Sequence, residues 1–196
     1  MLLSGIASGE GLKMIPQDHA LRQFFHDVVA DCYGEHVSIN DREVTTYVAD
    51  LLTDFCISER LYPVRDAAGR PVREVGEMLL ASDPVHGTAS SFDVEREIRK
   101  HIGDYALFCT GMYPESVHKW RENENANLYD MIRAGKESYY IVSQFDLFEY
   151  AIEAPLFGRL AETFESCMYG LNQVRTELER RLPGSLPSHG VPKFLM

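Results

Sequence analysis

The stretch Ile98 to Glu115, IRKHIGDYALFCTGMYPE, passes from a two-faced helical pattern to one that is apolar on every side. Up to His101 the charges Glu95, Glu97, Arg99 and Lys100 share a wet face, whereas from Tyr105 to Tyr113 only Thr110 and Gly111 interrupt Tyr, Ala, Leu, Phe, Cys and Met. A helix that is apolar all round is a buried one, so this segment is expected to be a central helix that the others pack around. Asp104, beside Gly103 and within a turn of His101, is its misfit.

Amphipathic segments lie on either side. Asp18 is a candidate N-cap for a first helix whose apolar positions Leu21, Phe24, Phe25, Val28, Val29 and Cys32 recur at three- and four-residue steps, with Gly34 closing it. Asn40, with Glu43 three residues on, suits the start of a second, striped by Val44, Tyr47, Val48, Leu51, Leu52 and Phe55, and the short loop between them predicts a helical hairpin. Residues 61–72, LYPVRDAAGRPV, predict a short hairpin or an extended arm, since Pro63 and Pro71 argue against a central strand. A short helix over Val72, Val75, Met78 and Leu79 should end before Asp83-Pro84, with Ser90 or Ser91 capping the central helix, which stops near Tyr113.

Pro114 suits the first position of another short helix, which would carry Trp120. Asn127 can cap a helix that points Leu128, Met131, Ile132, Tyr139 and Val142 inward, with Gly135 and Ser138 permitting a close helix approach. Phe145 to Ile152 continue apolar up to a break at Pro155, and the apolar pattern from Leu156 to Leu182 predicts one long last helix. The sum is an all-α, single-domain bundle of six or seven helices over residues 17–182, between a flexible lead-in at 1–16 and a Pro/Gly-rich tail at 183–196.

A formal charge of −11 and a pI near 5.0 argue against nucleic acid or an anionic membrane as partner, because both call for clustered Lys and Arg. No apolar run approaches the ~20 residues a spanning helix needs. Cys32, Cys56, Cys109 and Cys167 stand far apart in segments read as helix, which suits reduced thiols acting as small hydrophobes. The first residues, MLLSGIASGEGLKM, have no basic region and too short an apolar run for a signal peptide, so a cytoplasmic setting is expected.

Chemistry has two footholds. Glu115 and His118 form a Glu-x-x-His pair on one helical face, the spacing that metal-binding bundles use, although such sites need two copies and only one is present. Glu97 with His101, and Glu149 with Glu153, have metal-compatible spacings that are also those of ordinary surface pairs. Asp104 is the second foothold: a carboxylate facing the core must be paired or neutralised, and its candidate partners are His101, Tyr139, Tyr140 and Arg133. His101, Asp104, Tyr105, Tyr139 and Tyr140 would then line a pocket for a small ligand, or they are plain core and a structural hydrogen-bond node. The chain carries no G-x-S-x-G, H-E-x-x-H, P-loop or G-x-G-x-x-G pattern.

The run Gly103-Asp-Tyr-Ala-Leu-Phe-Cys-Thr-Gly-Met-Tyr-Pro-Glu115, followed by Gly135-Lys-Glu-Ser-Tyr139 and preceded by R-E-V-G-E-M-L-L at residues 73–80, resembles a family of uncharacterised bacterial α-helical proteins. Their run reads G-D-x-A-L-F-x-x-G-x-x-P-E, followed by a Gly-x-x-x-Tyr element and a long C-terminal helix. The resemblance covers residues 60–180 and implies a soluble bacterial helical protein, with no activity to carry over.

The expectation is therefore a non-enzymatic interaction or structural module, with no cofactor, that acts by packing against a protein partner or against itself, homodimerisation included. That reading calls for a filled core and an exposed apolar patch. The alternative is a helical enzyme or sensor that binds a metal, haem or a small apolar ligand beside Asp104, and it calls for a cavity with convergent polar groups.

Overall fold

The computed structural model describes residues 15–37, 39–66, 68–87, 89–115 and 128–183. Among them are eight α-helices: α1 (Ala20–Cys32), α2 (Arg42–Asp54), the short α3 (Ser58–Leu61), α4 (Val75–Ala81), α5 (Phe92–Met112), α6 (Leu128–Ser143), α7 (Ala154–Glu162) and α8 (Phe164–Arg181). The all-helical bundle expected from the periodicity is what the chain forms. The expected lead-in up to Met14, the helix beyond Glu115 with His118 and Trp120, the Asn127 cap and the tail from Gly184 lie outside the described residues.

α5 is the central helix, and every residue from His101 to Met112 on it is buried. Ser91 caps its start by accepting from the Val94 amide, and the helix ends at Tyr113. α6 and α8 pack along it, α4 and α2 touch it, and α1 lies against α2 and α8. Arg22 near the start of α1 pairs with Asp50 and Asp54 near the end of α2, so these two helices run antiparallel as predicted.

Close approach at α5 is set by small residues. A Cβ on Gly135 would fall 2.6 Å from the Phe164 ring and 2.9 Å from Ala106 Cβ, and one on Gly111 would fall 2.6 Å from Leu171 Cβ. The contact read into Gly135 from the sequence is thus a three-way junction of α5, α6 and α8.

Several boundaries differ from expectation. His19 and Asp41, one residue beyond the expected caps, accept the first-turn amides of α1 and α2. Gly34 does not end the first helical segment, which continues through a π-helical turn, Tyr33–Val37. Within the expected hairpin at 61–72, Leu61 still belongs to α3, and the pairing is the smallest possible: an isolated antiparallel bridge joins Arg65 to Pro71, and Val72 N–H donates to Val64 C=O at 2.9 Å.

The long last helix is two helices. Thr163 separates α7 from α8, its hydroxyl donating to the Arg159 carbonyl at 2.7 Å. Such back-bonding competes with the helical ladder and bends it. The bend lets α7 pack against α6 while α8 follows α5, and Phe157, Leu160 and Phe164 remain buried on both sides of it. Cys56 also departs from expectation: it sits in the turn after α2 and is exposed, whereas Cys32, Cys109 and Cys167 are buried and free.

Candidate functional site

Asp104 faces the interior, and three donors converge on its carboxylate. Tyr47 Oη of α2 and Tyr139 Oη of α6 donate to Oδ1 at 2.5 and 2.8 Å, and Lys100 Nζ, one turn back on α5, donates to Oδ2 at 2.9 Å. The node therefore ties three helices together. Of the partners expected from sequence only Tyr139 is one. Tyr140 is 59% exposed, and Arg133 pairs with Glu137 on the surface. His101 makes no hydrogen bond to Asp104; its ring lies between Phe55 and Tyr105, with centroids 6.0 Å from each. Tyr105 stacks at a tilt on Tyr62 and belongs to the core. Lys100 and Tyr47 escaped sequence reasoning because the first reads as part of a wet face and the second as one more stripe residue.

The node lines a cleft of about 270 Å³ whose walls also include Leu51, Phe55 and Pro63 together with the charged Asp50, Asp54 and Arg60. Four groups at and beside it are moved away from their ordinary titration ranges. Burial raises the Tyr47 and Tyr139 phenols well above their ordinary range, and the Asp104 carboxylate beside them adds to the effect. Burial would lower Lys100, but the Asp104 carboxylate and Tyr47 outweigh it and raise the ammonium's pKa. Burial pushes His101 down to about 4, so near neutral pH its imidazole is uncharged. Efficient general acid–base catalysis needs a group that titrates near the working pH. Each of these four is locked well away from it.

The carboxylates Glu115, Glu97 and Glu153 of the metal reading are paired with arginines. The Glu115 carboxylate lies 2.7 Å from Arg175 of α8, an ion pair, and its expected companion His118 lies outside the described residues. Glu97 and Glu153 both pair with Arg96, each at 2.8 Å. No group of three or more His, Cys, Asp or Glu among the described residues is placed to hold a metal ion.

The second site has the opposite character. Between α6 and α7 the chain turns through a 3₁₀ segment, Phe148–Ile152, in which none of the five residues is buried. Leu147, Phe148 and Ile152 are 67, 87 and 88% exposed, and Phe92 at the start of α5 is 74% exposed. This elbow is anchored. Arg96, itself buried, stacks its guanidinium 4.1 Å from the Tyr150 ring centroid while bridging to Glu153, and Tyr150 Oη donates to Asp93 at 2.8 Å. Phe148 adopts φ +55°, a left-handed conformation that bulky side chains rarely take. Held this way, the elbow borders an apolar groove of about 590 Å³ with Phe92, Ile141, Phe145, Leu147, Phe148 and Tyr150 on its walls. The sequence signal was the apolar run Phe145 to Ile152, which reads as buried chain until the helix is seen to end at Ser143.

No family model matches the chain, and neither a curated protein nor a solved structure does. No helix among the described residues is long and apolar enough to cross a membrane.

Proposed function

We propose that the chain is a non-enzymatic interaction module that receives a protein partner on the apolar elbow between α6 and α7. The observation that carries this reading is the anchoring of Leu147, Phe148 and Ile152 in solvent by Arg96 and Tyr150, with Phe148 held at φ +55°. Large apolar side chains grouped in one place and kept exposed at a conformational cost are what an interface needs and what a solitary domain avoids. The locked protonation states around Asp104 support the non-catalytic half of the proposal. A cytoplasmic setting suits buried free thiols at Cys32, Cys109 and Cys167. Kinship with uncharacterised bacterial helical proteins, carried by Gly103 to Glu115, belongs to the same proposal.

The test is a photo-crosslinking residue placed at Phe148 and, as control, at Leu80, an apolar residue elsewhere on the surface at 72% exposure. In the cells that make the protein, Phe148 should give a discrete protein adduct that Leu80 does not. No adduct at Phe148, or the same smear from both positions, would sink the reading.

A second reading, a small polar ligand in the cleft beside Asp104, is favoured by one observation. His101 lines that cleft, is 7% exposed, and its Nε2 has no hydrogen-bond partner among the described residues. Native mass spectrometry of freshly purified protein decides it: a stoichiometric small-molecule adduct lost in Asp104→Asn supports the cleft, and a clean apo mass removes it.

A further inference from the structure

We infer that the occupant of the elbow groove is a cationic amphipathic helix of a different protein, one that carries Lys or Arg beside its apolar residues; this rests on the interaction reading above. The charge around the groove is the reason. Besides its apolar walls it is lined by Asp93, Glu95 and Asp146, and none of its lining residues is Lys or Arg. Glu149 projects from the exposed 3₁₀ turn itself. Arg96, the cation nearest the turn's ring, is buried and committed to Glu97 and Glu153, so it offers no positive edge to a visitor.

A second copy of this chain is the poorer fit. A twofold contact sets the same patch against itself. Asp93, Glu95 and Asp146 would meet their own images in a chain of net charge −11, and like charges set opposite each other across an interface oppose association. An anionic membrane is repelled for the same reason. No strand among the described residues offers an edge for β-augmentation, so the groove must be read through side chains, as an amphipathic helix is read at its i, i+3, i+4 and i+7 positions. Apolar residues of such a helix would enter beside Phe92, Phe145 and Phe148 while its cations reach the acidic rim. The rim sets partner choice and encounter rate, and the aromatic walls set the lifetime of the complex.

The experiment uses the full chain and three synthetic amphipathic helical peptides of equal length and identical leucine positions, with Lys, Gln or Glu on the polar face. Binding is followed by fluorescence anisotropy, and the contact is located by NMR shift changes. The Lys peptide should bind at least tenfold more tightly than the Gln peptide, the Glu peptide should bind weakest, and the shifts should centre on Phe92, Leu147 and Phe148. Phe148→Ser with Ile152→Ser leaves the charge unchanged and should weaken the Lys peptide at least tenfold. Asp93→Asn, Glu95→Gln and Asp146→Asn together should erase the preference for Lys over Gln. Circular dichroism confirms that each variant is folded, and all the substituted side chains are at the surface.

Equal binding of the Lys and Gln peptides at the elbow would overturn the cationic inference while leaving the interaction reading intact. No peptide contact at the elbow, or a Lys peptide indifferent to Phe148→Ser, would overturn both. A native-mass dimer of the free chain that Phe148→Ser dissociates would assign the groove to a second copy. An intramolecular crosslink from residue 148 to residues 184–196 would assign it to the chain's own C-terminal segment.

Discussion

Tyr139 lies across Gly103 and bonds to the residue after it. A Cβ on Gly103 would fall 2.4 Å from Tyr139 Cδ1, while Tyr139 Oη donates to Asp104 Oδ1 at 2.8 Å. The glycine therefore provides the space in which the tyrosine reaches the carboxylate, and α5 and α6 are locked together at one point by packing and by a hydrogen bond.

Gly103→Ala should be costly because the fully buried ring has nowhere to retreat. The expected loss is about 1–3 kcal/mol of unfolding free energy, the range for overpacking a filled core. Tyr139→Phe keeps the ring and loses one buried hydrogen bond, for about 1 kcal/mol. Urea unfolding measures both, and a wild-type midpoint for Gly103→Ala would mean that α6 is not seated as described.

Asp104→Asn tests whether the node is structural. Asn can still accept from Tyr47 and Tyr139, but it removes the counter-charge of Lys100, whose side chain is 30% exposed and can turn partly toward water. The expected cost is about 2 kcal/mol, below the value for a pair shut away from solvent. Lys100→Met in the Asp104→Asn background should recover part of that loss, since a neutral pair needs no charge compensation. Independent, additive losses would remove Lys100 from the node.

Much of this frame was legible in the sequence. The apolar run after Tyr105 marked α5 as the buried helix, Ser90 or Ser91 was readable as its cap, and the small residues Gly135 and Ser138 marked a close helix approach, because each of these signals is local in the chain. What could not be read depends on pairs distant in sequence. Lys100 looks like surface until Asp104 is seen to need it, and Tyr47 is separated from Asp104 by 57 positions. The break at Thr163 was hidden because its hydroxyl bonds backward along an otherwise continuous apolar stripe. The elbow was missed for a related reason: apolar residues read as core unless the structure shows that nothing covers them.

His101 gives the protein an acid-sensitive contribution. Its pKa falls from the usual 6.5 to about 4 on folding, so between those values the unfolded chain binds the proton and the native chain does not. The contribution is complete above pH 6.5 and is lost as pH falls toward 4. A shift of this size corresponds to about 3 kcal/mol. Relative to His101→Gln, the wild type should lose about that much extra stability across this window in urea titrations at stepped pH. Parallel pH profiles for the two proteins would show that His101 is not buried in its neutral form.

The cysteines divide by exposure. Burial pushes Cys109 up to about 12 and Cys167 up to about 11, and both are shut in the core with Cys32. Cys56 is exposed, although its thiol too is raised, by partial burial and by the neighbouring Asp54. One thiol per chain should react with a disulfide reagent in native buffer, slowly at pH 7 and faster as pH rises, and the other three only in denaturant. Cys56→Ser should abolish the native reaction. A persisting fast thiol would show that another cysteine reaches the surface.

Phe148 sets stability against exposure most directly. A non-glycine residue in the left-handed region costs about 1–2 kcal/mol, and Asn is among the few residues that visit it routinely. At 87% exposure the Phe148 ring gains little burial to offset that cost. Phe148→Asn should therefore raise the unfolding free energy by about 0.5–1 kcal/mol, measurable as a higher urea midpoint with an unchanged slope. Phe157→Ala, one helix later and fully buried against Tyr47 and Tyr139, should lower it by about 3–5 kcal/mol. If Phe148→Asn also lowers stability, the ring is held by contacts of the fold, and the elbow is ordinary core rather than a surface kept open at a cost.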